Sequence, residues 1–218
     1  MTTVTEQSAS HMPLAELMRT GSRQEHEDAE EAGFMRSLLA GGISTDGYVA
    51  YLSQLRHIYA ALEEMADELA GDPIADLVLH PALRRLPSLN ADLKHWGTTD
   101  PLPANAATAE YAARIRSQSR VWSGYFVAHH YTRYLGDLSG GQAIGRIMTR
   151  TYGLTDGSGV AFYAFPDIPK VKPFKDEYRA ALNSLQLTRD AQNRILDEVK
   201  IAFRLNTAVF DSLGAFAG

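Results

Sequence analysis

Cysteine is absent from all 218 residues. That excludes disulfides, thiolate metal sites, a cysteine nucleophile and thioether attachment of a cofactor through C-x-x-C-H. It also fits a reducing compartment, and a cytoplasmic protein is expected. No apolar run approaches the ~18–20 residues of a membrane span. Met1 to His11 lacks the apolar core of a signal peptide, so neither export nor a membrane anchor is expected. Sustained alternation of β-branched residues is missing too, which leaves no sheet of consequence. Basic residues are scarce early on: residues 1–76 hold 4 Lys/Arg against 14 Asp/Glu. No Lys/Arg run is interleaved with aromatics, so nucleic-acid binding is not expected.

What is present is helical periodicity. At 45% hydrophobic the chain can bury a core, and it reads as one all-α domain over residues 13–218 behind a disordered tail at 1–12. Tyr48, Tyr51, Leu52, Leu55, Ile58, Tyr59, Leu62, Met65, Ala66 and Leu69 form one apolar stripe. Ser44, Thr45 and Asp46 can cap that helix, and Gly71-Asp72-Pro73 stops it. An earlier helix is expected to start near Pro13, pass through His26 and end by Gly33, with a short one over 34–40 after it. Short helices are expected over 74–79 and 82–95. A long helix is expected from Ala106 to about Tyr152, broken within 136–141. Loops are expected at 97–103 and 153–159, irregular chain over 160–173, and helices over 174–183 and from Thr188 to about Leu213.

The stretch Gly136-Asp137-Leu138-Ser139-Gly140-Gly141 sits inside that long helical pattern. Its three glycines cost helix stability, at roughly 1 kcal/mol each relative to alanine. Either a flat ligand lies against the backbone there, or the helix bends to pack a neighbour closely. Composition leaves those two readings even. His26 has Glu30 at i+4 on the same helix face, an arrangement that can orient a metal-bound imidazole. The surrounding Glu27, Asp28 and Glu31 make an acidic surface the commoner explanation. His129 and His130 are adjacent and point about 100° apart, so they cannot both serve one small site. Glu-x-x-His does not occur, which removes a carboxylate-bridged di-iron bundle. H-E-x-x-H is absent as well.

Four segments resemble haem oxygenases in order and spacing. They are His26-Glu27-Asp28-Ala29-Glu30 followed by Phe34-Met35, His129 through Gln142, Phe174 through Arg179, and Ala202 through Asn206. The resemblance implies a multi-helix fold that holds haem b between a proximal helix and a kinked distal helix, with haem as cofactor and substrate together. It implies that His26 is the axial iron ligand and Glu30 its partner. Gly136 and Gly140 would bring the distal backbone onto the ring, with Ser139 in the same turn. Asp137 would organise water on the oxygen side, with Tyr59 and Arg133 extending the polar network. Tyr131, Lys175 and Arg179 match positions that hold the propionates, and Phe203 matches an aromatic wall. Arg19 stands where related proteins often carry lysine, so charge is kept but reach differs.

By the same resemblance the activity is oxidative cleavage of haem to biliverdin with release of CO and iron, using O2 and external electrons. No flavin or nicotinamide fingerprint appears, so a ferredoxin or an NAD(P)H-dependent reductase is the expected donor. Residues 110–150 carry 6 Arg and 2 acids, and Arg114, Arg116, Arg120, Arg133, Arg146 and Arg150 are a candidate docking surface. The rival is a haem carrier or sensor on the same fold, for which Asp137 beside paired glycines would be superfluous. A thiaminase-like helical hydrolase would need the missing cysteine. Iron acquisition, haem turnover and pigment synthesis would share these residues. Nothing demands an oligomer, and a monomer is expected.

Overall fold

The computed structural model describes residues 12–98 and 100–217. The tail expected at 1–12 lies, except for Met12, outside the described residues. No strand occurs among them. Ten α-helices do: α1 Leu14–Gly21, α2 Arg23–Glu31, α3 Gly33–Leu39, α4 Thr45–Glu68, α5 Leu86–His95, α6 Ala106–Val121, α7 Ser123–His130, α8 Gln142–Thr151, α9 Val171–Ser184 and α10 Arg189–Ser212.

Helix α4 is central. The Ser44 hydroxyl accepts from Gly47 N at 3.2 Å and so caps it. Its apolar stripe puts Tyr48, Leu52, Ile58, Tyr59 and Leu62 at 0% exposure, against α5, α6 and α7. Thr188 caps α10 in the same way through Ala191 N, and α10 runs past α2, α6 and α7. These two 24-residue helices frame the molecule.

Three details differ from the expected elements. The first helix is two, interrupted at Ser22 (φ −109°, ψ 17°). Ser22 Oγ bonds the Met18 carbonyl at 2.7 Å, and a Cβ on Gly21 would meet Leu196 Cδ2 at 2.7 Å. A Gly-Ser pair wedged on α10 therefore re-aims α2 and with it His26. The helix from Ala106 is broken at Trp122, which is fully extended (φ −163°, ψ 128°), and not within 136–141. The indole is held there by Arg194, whose guanidinium carbon lies 4.6 Å from the ring centroid. Residues 131–135 and 137–141 continue the helix in wider π turns instead of stopping it. Smaller shifts are the 3-10 turns at 75–77 and 81–83, and α9 starting at Val171 with Pro173 in its first turn.

Candidate active site

A cleft opens between α2, the π-helical segment 131–141 and α10. It has two lobes of about 390 Å³ each, which share His26, Glu30, Thr132, Gly136, Ser139 and Phe203. The inner lobe adds Tyr51, Arg133, Asp137, Gly140, Tyr163 and Asn206. The outer lobe adds Arg19, Arg23, Tyr131 and Arg179.

His26 is half-exposed on the cleft wall. Its Nδ1 faces Glu30 Oε2 at 3.8 Å, and its ring meets Phe203 edge-on at 5.4 Å between centroids. Nε2 has no partner among the described residues, so it is the nitrogen free to bind a metal held in the cleft. No group of three or more His, Asp or Glu that could hold a bare metal ion occurs among the described residues. An iron centre here must therefore bring most of its own ligands.

The glycines separate the ligand reading from the packing reading. A Cβ on Gly136 or Gly140 would have nothing within 4 Å, while one on Gly145 would meet Tyr163 Cβ at 2.9 Å. Gly145 is small because a neighbouring side chain packs on it. Gly136 and Gly140 face the cleft with ordinary αR or π backbone, and neither has positive φ. A flat group lying on the 136–140 backbone would fill the volume that Cβ atoms would otherwise take.

Asp137 is buried, and its carboxylate has two partners. The Tyr59 hydroxyl donates to Oδ2, and Arg133 Nη2 lies 3.6 Å from Oδ1. Arg133 is fixed in turn: Nε donates to Tyr59 Oη at 3.2 Å and Nη1 to Asn206 Oδ1 at 2.8 Å. Burial raises the Asp137 pKa above the usual carboxylate range, and Arg133, the Tyr59 hydrogen bond and Arg85 oppose it. The result is a buried carboxyl held in place at the cleft wall.

The outer lobe is a cationic mouth. Burial raises the Tyr131 pKa while Arg179 and Arg19 pull it down, which brings all three to one spot. Lys175 lines neither lobe but donates from Nζ to Ser139 Oγ at 3.1 Å across the rim. Desolvation, then Arg179, lowers its pKa.

The residues that the resemblance assigned to the haem site thus line the cleft or, as Tyr59 and Lys175 do, bond to a residue that lines it. Sequence reasoning overlooked several others. Arg23 sits four after Arg19 and three before His26, so helical spacing could have found it. Asn206 follows Phe203 by three on α10, and Tyr51 precedes Tyr59 by eight on α4. Tyr163 lies in a stretch read as irregular and carried no signal. The two adjacent histidines are core residues, as their spacing suggested: His129 Nε2 pairs with Glu198 Oε1 at 2.9 Å and His130 Nδ1 with Tyr178 Oη at 2.8 Å. The candidate docking arginines are mostly occupied. Arg114 grips Glu198, Arg116 pairs with Glu64, Arg120 with Glu64 and Glu68, and Arg133 is internal. Arg146 and Arg150 remain exposed on α8.

Known proteins share this sequence pattern and this fold. The family model described as haem oxygenase matches residues 12–212. Haem oxygenase 1 of Bos taurus is 36% identical over 214 residues, covering 95% of this chain and 74% of its own. Haem oxygenase 1 of the cyanobacterium Synechocystis is 37% identical over 203 residues, covering 92% of this chain and 84% of its own. Among solved structures, haem oxygenase from Leptospira interrogans matches with a TM-score of 0.89 at 35% identity, over 92% of this chain and 100% of that one. Haem oxygenase-1 from Synechocystis in complex with haem matches with a TM-score of 0.89 at 35% identity, over 94% of this chain and 93% of that one.

Proposed function

The chain belongs to the haem oxygenase family, and on that premise we propose how its own residues divide the work of degrading haem to biliverdin, CO and iron. Haem is the substrate, and it supplies the iron at which O2 is reduced. The observation that carries this reading is the Cβ-sized emptiness at Gly136 and Gly140 on the cleft that also presents His26.

His26 holds the iron through Nε2. Glu30 Oε2, 3.8 Å from Nδ1, helps to orient the imidazole so that Nε2 is the ligating nitrogen. Phe203 limits rotation of the imidazole. Gly136 and Gly140 let the ring lie against backbone, and Ser139 follows the same turn. At the mouth, Arg19, Arg179, Tyr131 and Lys175 receive the propionates, and arginine can do so bidentately. A propionate that takes Lys175 removes it from Ser139.

Asp137 organises water in the inner lobe and passes protons from it. Tyr59 and Arg133 hold the carboxylate at one orientation so that no reorganisation accompanies each transfer. The electrons come from an external donor such as a ferredoxin or an NAD(P)H-dependent reductase.

The test is optical. Equimolar haem is added to the protein, followed by ascorbate in air with catalase present. A sharp Soret band that decays as a biliverdin band grows is expected. A Soret band that persists even with a competent reductase would turn the reading to a haem carrier, and no Soret band would overturn haem binding. His26→Ala is expected to abolish productive turnover, with partial rescue by added imidazole.

A further inference from the structure

Three tyrosines to which the resemblance gave no role stand together at the inner end of the haem cleft. Tyr51 and Tyr163 line the inner lobe, and Tyr48 is buried beside them at 0% exposure. None of the three hydroxyls makes a well-formed hydrogen bond among the described residues. Those of Tyr48 and Tyr163 are shielded from solvent as well. They lie near enough for each to shift the other's titration, and Tyr51 acts on both. The Tyr51 hydroxyl is not shut in, and it lies beside Arg133 in the inner lobe.

Packing does not require these hydroxyls. The Tyr51 ring rests on Phe34 and Phe210, at 5.4 and 6.2 Å between centroids. Tyr163 meets Phe162 at 5.0 Å and seats its Cβ and ring over Gly145 and Gly141. Phenylalanine would make the same contacts and leave no polar atom unpaired. Buried polar atoms without a partner are rare, so hydroxyls kept on such terms point to a use.

Charge narrows that use. Burial pushes the Tyr51 pKa up to about 12, with Arg133 lowering it and Asp137 raising it. Burial also lifts Tyr48 and Tyr163 well above the ordinary tyrosine range. All three therefore stay neutral, and none of them is a base at neutral pH. A guanidinium only donates, so towards Arg133 the Tyr51 oxygen can only accept. The Tyr51 proton is then left for the inner lobe. Asp137 lines the same lobe and accepts when ionised. A water lodged between them meets a donor on one wall and an acceptor on the other.

We infer that Tyr51 is a further positioning residue for the haem reaction: its hydroxyl donates into the inner lobe and orients the water that Asp137 serves, and the Tyr163 and Tyr48 hydroxyls keep it pointing that way. The inference rests on the haem-degrading reading above.

Fluoride is the probe, because it binds ferric haem and accepts hydrogen bonds. It is titrated optically into ferric haem-loaded protein. Tyr51→Phe is expected to weaken fluoride about fivefold, the loss of one hydrogen bond, with the haem titration midpoint unchanged. In turnover it is expected to lower kcat by a similar factor and to leave KM for haem as it was. Tyr163→Phe is expected to weaken fluoride about twofold alone and to add nothing in the Tyr51→Phe background, since it acts through that hydroxyl. Tyr48→Phe, at a residue that does not line the cleft, repeats this comparison if Tyr163→Phe fails to fold. Unchanged fluoride affinity in Tyr51→Phe would overturn the proposal, and equal effects of the second substitution in both backgrounds would overturn the backing role of the pair. A wild type that loads haem but leaves the ring intact would overturn the haem-degrading reading, while the fluoride comparison still decides the place of Tyr51. A wild type that binds no haem would overturn both.

Discussion

At the scale of single residues, the glycines of the distal segment divide into two kinds, and substitution tells them apart. Gly136→Ala and Gly140→Ala place a Cβ in open space, so the haem-free protein should keep or slightly gain stability, by up to ~1 kcal/mol from helix propensity. Haem affinity should fall by at least about tenfold, read as Soret titration midpoints. Gly145→Ala should do the opposite, lowering Tm through its contact with Tyr163 and leaving haem affinity nearly unchanged. A haem-free Tm that drops equally in all three would show that packing alone selected these glycines. Asp137 follows a different logic, since its carboxylate is built into the wall and not the floor of the cleft. Asp137→Ala should load haem with a normal Soret band and lose biliverdin formation by about a hundredfold, the scale of general acid–base catalysis; an unchanged yield would remove Asp137 from proton delivery. Most of these residues were assigned through the resemblance of four segments to haem oxygenases, whereas spacing and composition alone marked only the Gly-Asp-Leu-Ser-Gly-Gly run and the His26–Glu30 pair. Composition alone could not say whether those glycines face a ligand or a helix, because that depends on what lies opposite, and only the fold puts Tyr163 against Gly145 and nothing against Gly136.

At the scale of elements, the core depends on how α6, α7 and α10 are joined. Glu198 on α10 accepts Arg114 Nε at 2.8 Å and Nη2 at 2.7 Å from α6, and pairs with His129 on α7. Burial would raise the Glu198 pKa, but His129 and Arg114 outweigh it and hold the group down at about 2. Burial lowers the His129 pKa, with Glu198 opposing. Both groups have depressed pKa values in the fold, so both contribute stability above their unfolded values. The His129 share declines once pH falls below its usual 6.5, and the Glu198 share between 4.5 and about 2. Glu198→Gln should therefore lose about 3 kcal/mol at neutral pH, the scale of a broken buried ion pair. It should also flatten the acid limb of the stability curve, as read by urea midpoints from pH 7 to pH 3. Midpoints that run parallel to wild type would mean that other carboxylates govern acid unfolding. The sequence displayed α4 and α10 to within a residue or so, since an apolar stripe and a capping Ser or Thr are local signals. It concealed the breaks at Ser22 and Trp122, which come from Leu196 and Arg194 on a helix more than 70 residues away in the chain. No local pattern encodes such contacts.

At the scale of the whole molecule, charge is sorted by place more than by amount. The net charge is −5, and the acidic first third supplies Glu64 and Glu68, which neutralise Arg116 and Arg120 across α4 and α6. That pairing removes the middle of the arginine-rich stretch as a docking surface. Of that stretch Arg146 and Arg150 on α8 stay exposed without an acidic partner among the described residues, and Arg19, Arg23 and Arg179 stand at the cleft mouth, Arg179 beside Asp176. All five belong to elements that border the haem cleft, so an acidic electron donor attracted to them would arrive close to the iron. Turnover with a protein donor should then fall as ionic strength rises from 10 to 300 mM, about the range over which the Debye length shrinks from ~30 Å to below 10 Å. Arg146→Glu with Arg150→Glu should cut donor-supported turnover about tenfold and leave ascorbate-supported turnover and the Soret band unchanged, since neither residue lines the cleft. If salt and the double variant depress the ascorbate reaction equally, the effect lies inside the cleft; if they alter neither reaction, the donor docks on some other face, and the sorted charge serves only to hold the helices together.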